Sequence, residues 1–158
     1  MENTFIESIR QIIIRDLESM AIEIDEMNEQ VLWVNMPGII NPVGVLAIHI
    51  CGNLKFFIGT CLGNTGYIRN RANEFSISKI SKEEIIKEIT DTISTVDNVL
   101  MSFPMERLQD EMPNPPDQHK GRTIEFFLIQ LCCHLSRHRG QLNYISRIVQ
   151  NNSTATNG

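Results

Sequence analysis

The sequence lacks the features that would direct the chain to a nucleic acid, a secretion pathway or a membrane. No run of Lys and Arg is present, and the formal net charge is −5, whereas a nucleic-acid-binding protein usually carries a basic face. The N-terminus has Glu2 and Glu7 where a secretory signal needs a basic start and an uncharged core. We also expect no segment to reach the roughly 18–20 apolar residues of a membrane span. These absences predict a cytoplasmic protein with no nucleic-acid or membrane partner.

The sequence is also poor in motifs that identify common enzyme classes. It has no G-x-S-x-G elbow, no P-loop and no G-x-G-x-x-G fingerprint. The Glu-x-x-His pairs of di-iron helical bundles are missing as well. Four cysteines are present, Cys51, Cys61, Cys132 and Cys133, and none belongs to a C-x-x-C motif. We therefore predict reduced, mostly buried thiols rather than disulfides or a Cys-based zinc site.

What the sequence does have is helical periodicity. Apolar residues recur three and four positions apart, as the buried face of a helix requires, and no strand-like alternation is long enough to predict a sheet. The pattern predicts an all-α four-helix bundle. We expect one domain over residues 1–150 and a polar, disordered tail over residues 151–158. The predicted helices cover residues 4–24, 42–63, 82–102 and 123–150, with long connections after the second and the third.

Specific residues mark the ends of these helices. Asn41 is predicted to cap the second helix, with Pro42 at its first position and Gly63 at its end. Ser81 and Glu84, three positions apart, predict a capping box at the start of the third helix.

The segment HLSRHRGQLNYISR places polar side chains on the face of the last helix that should reach the core. At 100° per residue, His138 lies 40° from His134, and Gln141 lies 20° from His134 on the other side. In the second helix, His49 and Asn53 share an apolar stripe that continues to Phe56. A buried polar side chain without a partner costs about 1–3 kcal/mol, so these groups should satisfy one another.

A divalent metal ion would satisfy the three histidines His49, His134 and His138 together. The H-x-x-x-H spacing alone is a weak signal, because ordinary core histidines produce it too. A third histidine on a separate apolar stripe strengthens the metal interpretation. Three imidazoles accept zinc, nickel, copper or iron, and a three-histidine site with an open fourth position is typical of catalysis. His119 lies in a proline-rich loop and is expected to be solvent-exposed.

These segments resemble the DinB-like superfamily of metalloenzymes. The last helix matches its signature through His134, His138, Gly140, Gln141 and Tyr144. The segment LAIHICGNLKFFI supplies the third histidine, and GYIRNRANEF with SKEEIIKEI resembles an uncharacterised subgroup of the superfamily.

The resemblance implies an up-down-down-up helix order, a homodimer, and nickel or zinc held by His49, His134 and His138. Some members of the superfamily transfer low-molecular-weight thiols to electrophiles. The resemblance therefore implies a thiol S-transferase-like activity with such a thiol as co-substrate.

Two classes of function remain open at the level of sequence. The first is a metal-dependent enzyme, either a thiol S-transferase or a hydrolase, in which Asn53, Gln141 and Tyr144 line the pocket or orient the substrate. For Tyr144, packing in the core is the favoured role. The second is a non-catalytic, metal-stabilised dimeric stress-response protein, in which a fourth protein ligand completes the coordination. An open fourth position would distinguish the enzyme from the structural protein.

Overall fold

The fold is built from helices connected by loops and short 3₁₀ turns. The computed structural model describes residues 4–77 and 79–155, and this part of the chain contains no β-strand, only an isolated bridge between Glu111 and Thr123. The helices are α1 Thr4–Glu26, α2 Val43–Leu54 with a π-helical continuation Lys55–Leu62, α3 Arg71–Ser76, α4 Lys82–Met101 and α5 Ile124–Ala155. The 3₁₀ helices are Glu29–Trp33, Met105–Gln109 and Asp117–His119. The predicted all-helical character is confirmed.

Helices α1 and α2 each pack against both α4 and α5, and the short α3 packs on α2. The apolar stripe of α1 is fully covered in this arrangement, with Ile13, Leu17 and Met20 completely buried. On α4, Ile85 and Ile89 are likewise completely buried. Burial of such side chains contributes about 1.5–3 kcal/mol each relative to exposure. Helices α2 and α5, which carry the predicted histidine ligands, also pack against each other.

The start of α4 has the predicted capping box. The backbone N–H of Glu84 donates to Ser81 Oγ at 3.1 Å, and the backbone N–H of Ser81 donates to Glu84 Oε2 at 2.8 Å. The prediction for α2 is wrong in one detail. Pro42, not Asn41, is the residue before the first helical turn, and no side chain caps that end.

The last helix is longer than the sequence pattern indicated. Its periodic apolar residues end near Val149, but the backbone continues in helical geometry to Ala155. Polar residues are compatible with a helix that is already nucleated, because propagation adds one hydrogen bond for each residue fixed. Residues 156–158 of the predicted disordered tail lie outside the described residues.

The π-helical segment Lys55–Leu62 changes which side chains share the face of His49. A π-helix bonds each residue to the fifth one along, so it turns less per residue than an α-helix. Phe57 consequently follows His49 and Asn53 on one side of the helix and faces the same cleft. The prediction that Phe56 continues this stripe is wrong, because it assumed α-helical geometry throughout.

The segment Val43–Leu62 is long and apolar enough to cross a membrane by length and composition alone. This corrects the expectation that no segment reaches that length. In the structure, 72% of the most apolar stretch of this segment is buried inside the fold. A core helix of a globular fold passes the same test, so the segment is weak support for a membrane span.

Candidate metal centre

Three histidines from two helices converge at one end of the cleft between α2 and α5. His49 is buried on α2, and His134 and His138 are half-buried one turn apart on α5. One ring nitrogen from each lies within 4.8 Å of the others, and the Nε2 atoms of His134 and His138 are 3.1 Å apart. Among the described residues, no Asp, Glu or Cys and no fourth His joins this group. The three-histidine arrangement expected from the spacing is therefore present as geometry.

The side chain of Glu74 contacts one of the two ring nitrogens of His49. Its Oε2 accepts a hydrogen bond from Nδ1 of His49 at 2.9 Å, and Glu74 is only 4% exposed. Arg69 donates to both oxygens of the same carboxylate, from Nε at 2.6 Å and from a terminal nitrogen at 2.9 Å. A carboxylate on Nδ1 fixes the imidazole tautomer and leaves Nε2 unprotonated and available to a metal.

Two local features bring Glu74 to His49. The side chain of Asn70 accepts from the backbone N–H of Asn73 at 3.0 Å and so starts α3, which presents Glu74 one turn later. On α2, Gly52 leaves room for the carboxylate, because a Cβ at this position would lie 2.2 Å from Glu74 Oε1. Any larger residue at position 52 would displace Glu74 from the imidazole.

Gln141 has a comparable relationship to His138. Its Oε1 accepts from Nδ1 of His138 at 2.7 Å, which leaves Nε2 of that ring directed at His134. Gln141 itself is exposed. The predicted pocket or outer-shell position of Gln141 thus corresponds to a direct contact with one of the three rings.

Asn53 is 8% exposed and lines the same cleft one turn after His49. Its Oδ1 is buried and has no hydrogen-bond partner among the described residues. An unsatisfied buried acceptor of this kind costs about 1–3 kcal/mol. A donor held at the centre, such as bound water or a ligand N–H or O–H, would satisfy it.

The environment of the site keeps the imidazole rings of His134 and His138 neutral. Burial, together with the nearby His138, His49 and Arg137, lowers the pKa of His134 to about 3. Burial also lowers the pKa of His138, and the hydrogen bond with Gln141 opposes this shift only in part. Burial alone would raise the pKa of Glu74, but the hydrogen bonds from Arg69 and His49 outweigh it and hold the pKa below its ordinary value.

Neutral imidazoles are the form that binds a metal. The donor set therefore fits a divalent ion. The Nδ1 atoms of His49 and His138 contact Glu74 and Gln141, which leaves their Nε2 atoms for a metal. The three histidines also lie close enough together to share one ion.

A family model that describes proteins of unknown function, DUF1572, matches residues 1–156. The chain belongs to the DUF1572 family. A search of curated proteins found no significant match to the sequence.

The cleft beside the three histidines of this DUF1572 protein has a volume of about 750 Å³. Its far wall is formed by the proline-rich loop, with Pro115, Pro116 and His119. His119 was expected to be solvent-exposed, but it is half-buried and lines the cleft, with its ring centroid 5.8 Å from that of Phe127. It does not belong to the three-histidine group.

One residue of α5 differs from its predicted role, and another on the same helix lines the cleft. Tyr144 is 70% exposed, so the prediction that it packs in the core is wrong, and it borders a neighbouring apolar groove instead of the cleft. Arg137 is exposed on the same helix and lines the cleft together with His134 and His138.

All four cysteines are free, as predicted, and none belongs to the histidine group. Cys51 is completely buried, and burial raises the pKa of its thiol to about 12. Cys133 is exposed, which departs from the expectation of mostly buried thiols.

Sequence reasoning missed Glu74 and Arg69, which lie in a segment that the pattern predicted only as a polar connection. A six-residue helix is too short to show periodicity. The remaining signal is Gly52, which stands three residues after His49 in a helix whose other residues are mostly apolar. A glycine there indicates the close approach of another group.

Proposed function

We propose that this protein is a metal-dependent enzyme of the DinB-like superfamily with a thiol S-transferase-like activity. The observation that carries the proposal is the open three-histidine group. His49, His134 and His138 face a cleft of about 750 Å³, and no fourth side chain of a metal-binding type joins them among the described residues. Catalytic sites keep such a position for substrate, whereas structural zinc sites close it.

The bundle topology belongs to the same proposal. We propose an up-down-down-up four-helix bundle, and the packing of α1 and α2 against both α4 and α5 supports it. In that arrangement the ligands come from facing helices, which is where helical bundles build their metal sites.

Nickel or zinc is the proposed ion, held by His49, His134 and His138. When bound, a divalent ion lowers the pKa of a coordinated thiol or water and so supplies a nucleophile near neutral pH. Glu74 and Gln141 hold the rings of His49 and His138 in the orientation that the site needs. The buried Oδ1 of Asn53 is available to orient a donor group of the substrate.

The composition of the cleft favours a thiol over water as the nucleophile. No Asp or Glu lies among the described residues that line it, so no carboxylate is in place as a general base. A thiol has an ordinary pKa of about 8.5 and needs little help to ionise. A water nucleophile depends more strongly on a base. A hydrolase with His119 as its base is the alternative that uses the same centre.

A purely structural metal site is the third alternative. It would require a fourth protein ligand, and the carboxylate that contacts His49, that of Glu74, is already engaged by this ring and by Arg69. The homodimer and the cytoplasmic location remain proposals. The exposed apolar side chains of Ile40, Tyr144 and Ile148 along one groove are consistent with a protein interface.

The test is a thiol-transfer assay on protein purified without an affinity tag and loaded with zinc or nickel. Low-molecular-weight thiols are offered with an electrophilic reporter, and thioether formation is followed with and without metal. We expect metal-dependent transfer that His49→Ala abolishes and Arg147→Gln, a change on the exposed surface of α5, leaves intact. Reporter hydrolysis without thiol would favour the hydrolase. No metal-dependent reaction of either kind would leave the structural alternative.

A further inference from the structure

The cleft beside the histidines carries positive charge in a protein whose overall charge is negative. Three arginines line it, Arg69, Arg71 and Arg137, and no Asp or Glu does so among the described residues. The whole chain has 19 acidic and 14 basic residues. The positive lining is therefore a local feature of the cleft and does not follow from composition.

Only one of these arginines is neutralised within the described chain. Arg69 forms an ion pair with Glu74. Arg71 stacks its guanidinium over the ring of Phe75, 5.2 Å from the centroid, and has no carboxylate partner among the described residues. Arg137 also lacks an acidic partner there. Two guanidinium groups with free donors thus face one cleft from α3 and from α5.

A second observation points to a ligand in the same cleft. Asn53 is 8% exposed, and its buried Oδ1 has no hydrogen-bond partner in the described chain. Phe75 and Phe57 line the same cleft and add apolar surface to it. A molecule that fills the space would meet a buried acceptor at Asn53 and exposed cationic donors at Arg71 and Arg137.

We infer that the cleft binds a small anionic molecule, whose carboxylate or phosphate group pairs with Arg71 and Arg137 while an N–H or O–H group donates to Asn53. The guanidinium group suits this role because its planar set of N–H donors matches both anions. The volume of about 750 Å³ falls within the range of small-molecule sites. The inference rests on the proposed function and deepens it. It specifies that the thiol or the electrophile that reacts at the histidine centre carries a negatively charged group.

The first experiment measures the preference for charge at the metal centre. Cobalt-loaded protein is titrated with 3-mercaptopropionate, 2-mercaptoethanol and cysteamine, which are anionic, neutral and cationic thiols of similar size. Thiolate-to-cobalt absorption reports binding. We expect the anionic thiol to bind most tightly, and Arg71→Gln and Arg137→Gln each to weaken it by roughly fivefold, the scale of one exposed ion pair. Neither change should alter binding of 2-mercaptoethanol.

Arg147→Gln is the matched control, because it removes the same charge from an exposed position of α5 outside the cleft. Equal loss of 3-mercaptopropionate binding in this variant would attribute the effect to net charge and would overturn the assignment of the site to Arg71 and Arg137. Equal affinity of the wild-type protein for all three thiols would overturn the inference.

The second experiment separates the anion site from the metal centre. In metal-free protein, the side-chain Nε–H signals of Arg71 and Arg137 are followed by NMR during titration with succinate, methyl phosphate or neutral 1,4-butanediol. A response to either anion but not to the diol supports the inference, and the tighter anion identifies the group. No response to either anion overturns it. If the arginines respond while no thiol alters the cobalt spectrum, the proposed metal chemistry fails and the anion site stands.

Discussion

Glu74 and His49 form a hydrogen-bonded pair, with Oε2 of the glutamate 2.9 Å from Nδ1 of the histidine, although 25 positions separate them in the chain. The contact engages Nδ1 of the imidazole, and Glu74 does not belong to the three-histidine group. It therefore sets the orientation of the His49 ring without adding a fourth side chain to that group.

This relationship predicts that Glu74→Gln weakens metal binding without removing a ligand. The amide can still contact Nδ1 but no longer imposes the tautomer or supplies the negative charge. We expect metal affinity to fall about 10–100-fold, as losses of such outer contacts do. Competition with a chromogenic chelator measures the change. Glu83→Gln, an exposed glutamate at the start of α4, should leave the affinity unchanged, and an equal loss there would contradict a specific role for Glu74.

Two helical glycines provide a matched steric test. In Gly52→Ala, the added methyl would lie 2.2 Å from Glu74 Oε1, so the carboxylate must move away from His49. We expect lower metal affinity and lower stability. In Gly140→Ala, nothing lies within 4 Å of the new methyl, and the fold should gain up to about 1 kcal/mol from helix propensity. Metal titration and thermal melting of both variants check this. Unchanged metal affinity in Gly52→Ala would indicate that Glu74 has another way to reach His49.

The thiols should differ widely in reactivity. Cys133 is exposed, whereas burial raises the pKa of the Cys51 thiol to about 12 and that of Cys132 to about 11. Because the thiolate is the reactive form, we expect a disulfide reagent at mildly alkaline pH to modify Cys133 first and Cys51 only on unfolding. Single replacement of any cysteine should leave full metal content in folded protein. Loss of metal from a well-folded Cys132→Ser or Cys133→Ser variant would contradict the assignment of the site to histidines alone.

Acid should remove the metal and reduce the stability that it provides. The pKa of His134 is lowered from 6.5 to about 3 in the folded chain, so the unfolded chain takes up protons first as pH falls. The stability that the neutral His134 ring contributes to the metal-free protein is therefore present above pH 6.5 and is lost as the pH falls towards 3. A bound ion adds stability by mass action until protons displace it.

Melting curves with and without chelator, at neutral pH and in mild acid, measure both effects. We expect the chelator to lower the melting temperature at neutral pH, and the difference to shrink in acid. The metal-free protein should still fold, because its core is built from four long helices. If metal removal leaves the neutral melting temperature unchanged, the ion does not stabilise the fold. If the chelator unfolds the protein outright, the site is structural.

Much of the architecture could be predicted because long helices repeat their pattern many times. The capping box at Ser81 and the shared face of His134 and His138 follow from local chemistry and from α-helical angles. His49, on another helix, was added because buried histidines need a common partner and because the sequence resembles a family with a third histidine there. Predictions from α-helical angles were wrong beyond Leu54. The π-helical backbone there turns less per residue and brings Phe57 to the cleft in place of Phe56.

The rest depends on contacts between distant segments. Glu74 reaches His49 only because α3 packs on α2 at Gly52, and a six-residue helix has no periodicity to reveal this. Tyr144 lies on the helix that carries His138 and yet is 70% exposed, at the edge of a groove that Ile40 also lines. Neither the contact of Glu74 with His49 nor the exposure of Tyr144 can be predicted from the residue pattern of one helix.

The most direct test of the central claim is the metal content of untagged protein and of four histidine variants. Elemental analysis should find one divalent ion per chain in the wild-type protein. It should find strongly reduced content in His49→Ala, His134→Ala and His138→Ala. His119→Ala, which alters the cleft but not the three-histidine group, should keep its ion. Full occupancy in any of the first three variants, with the variant shown to be folded, would contradict the three-histidine metal centre.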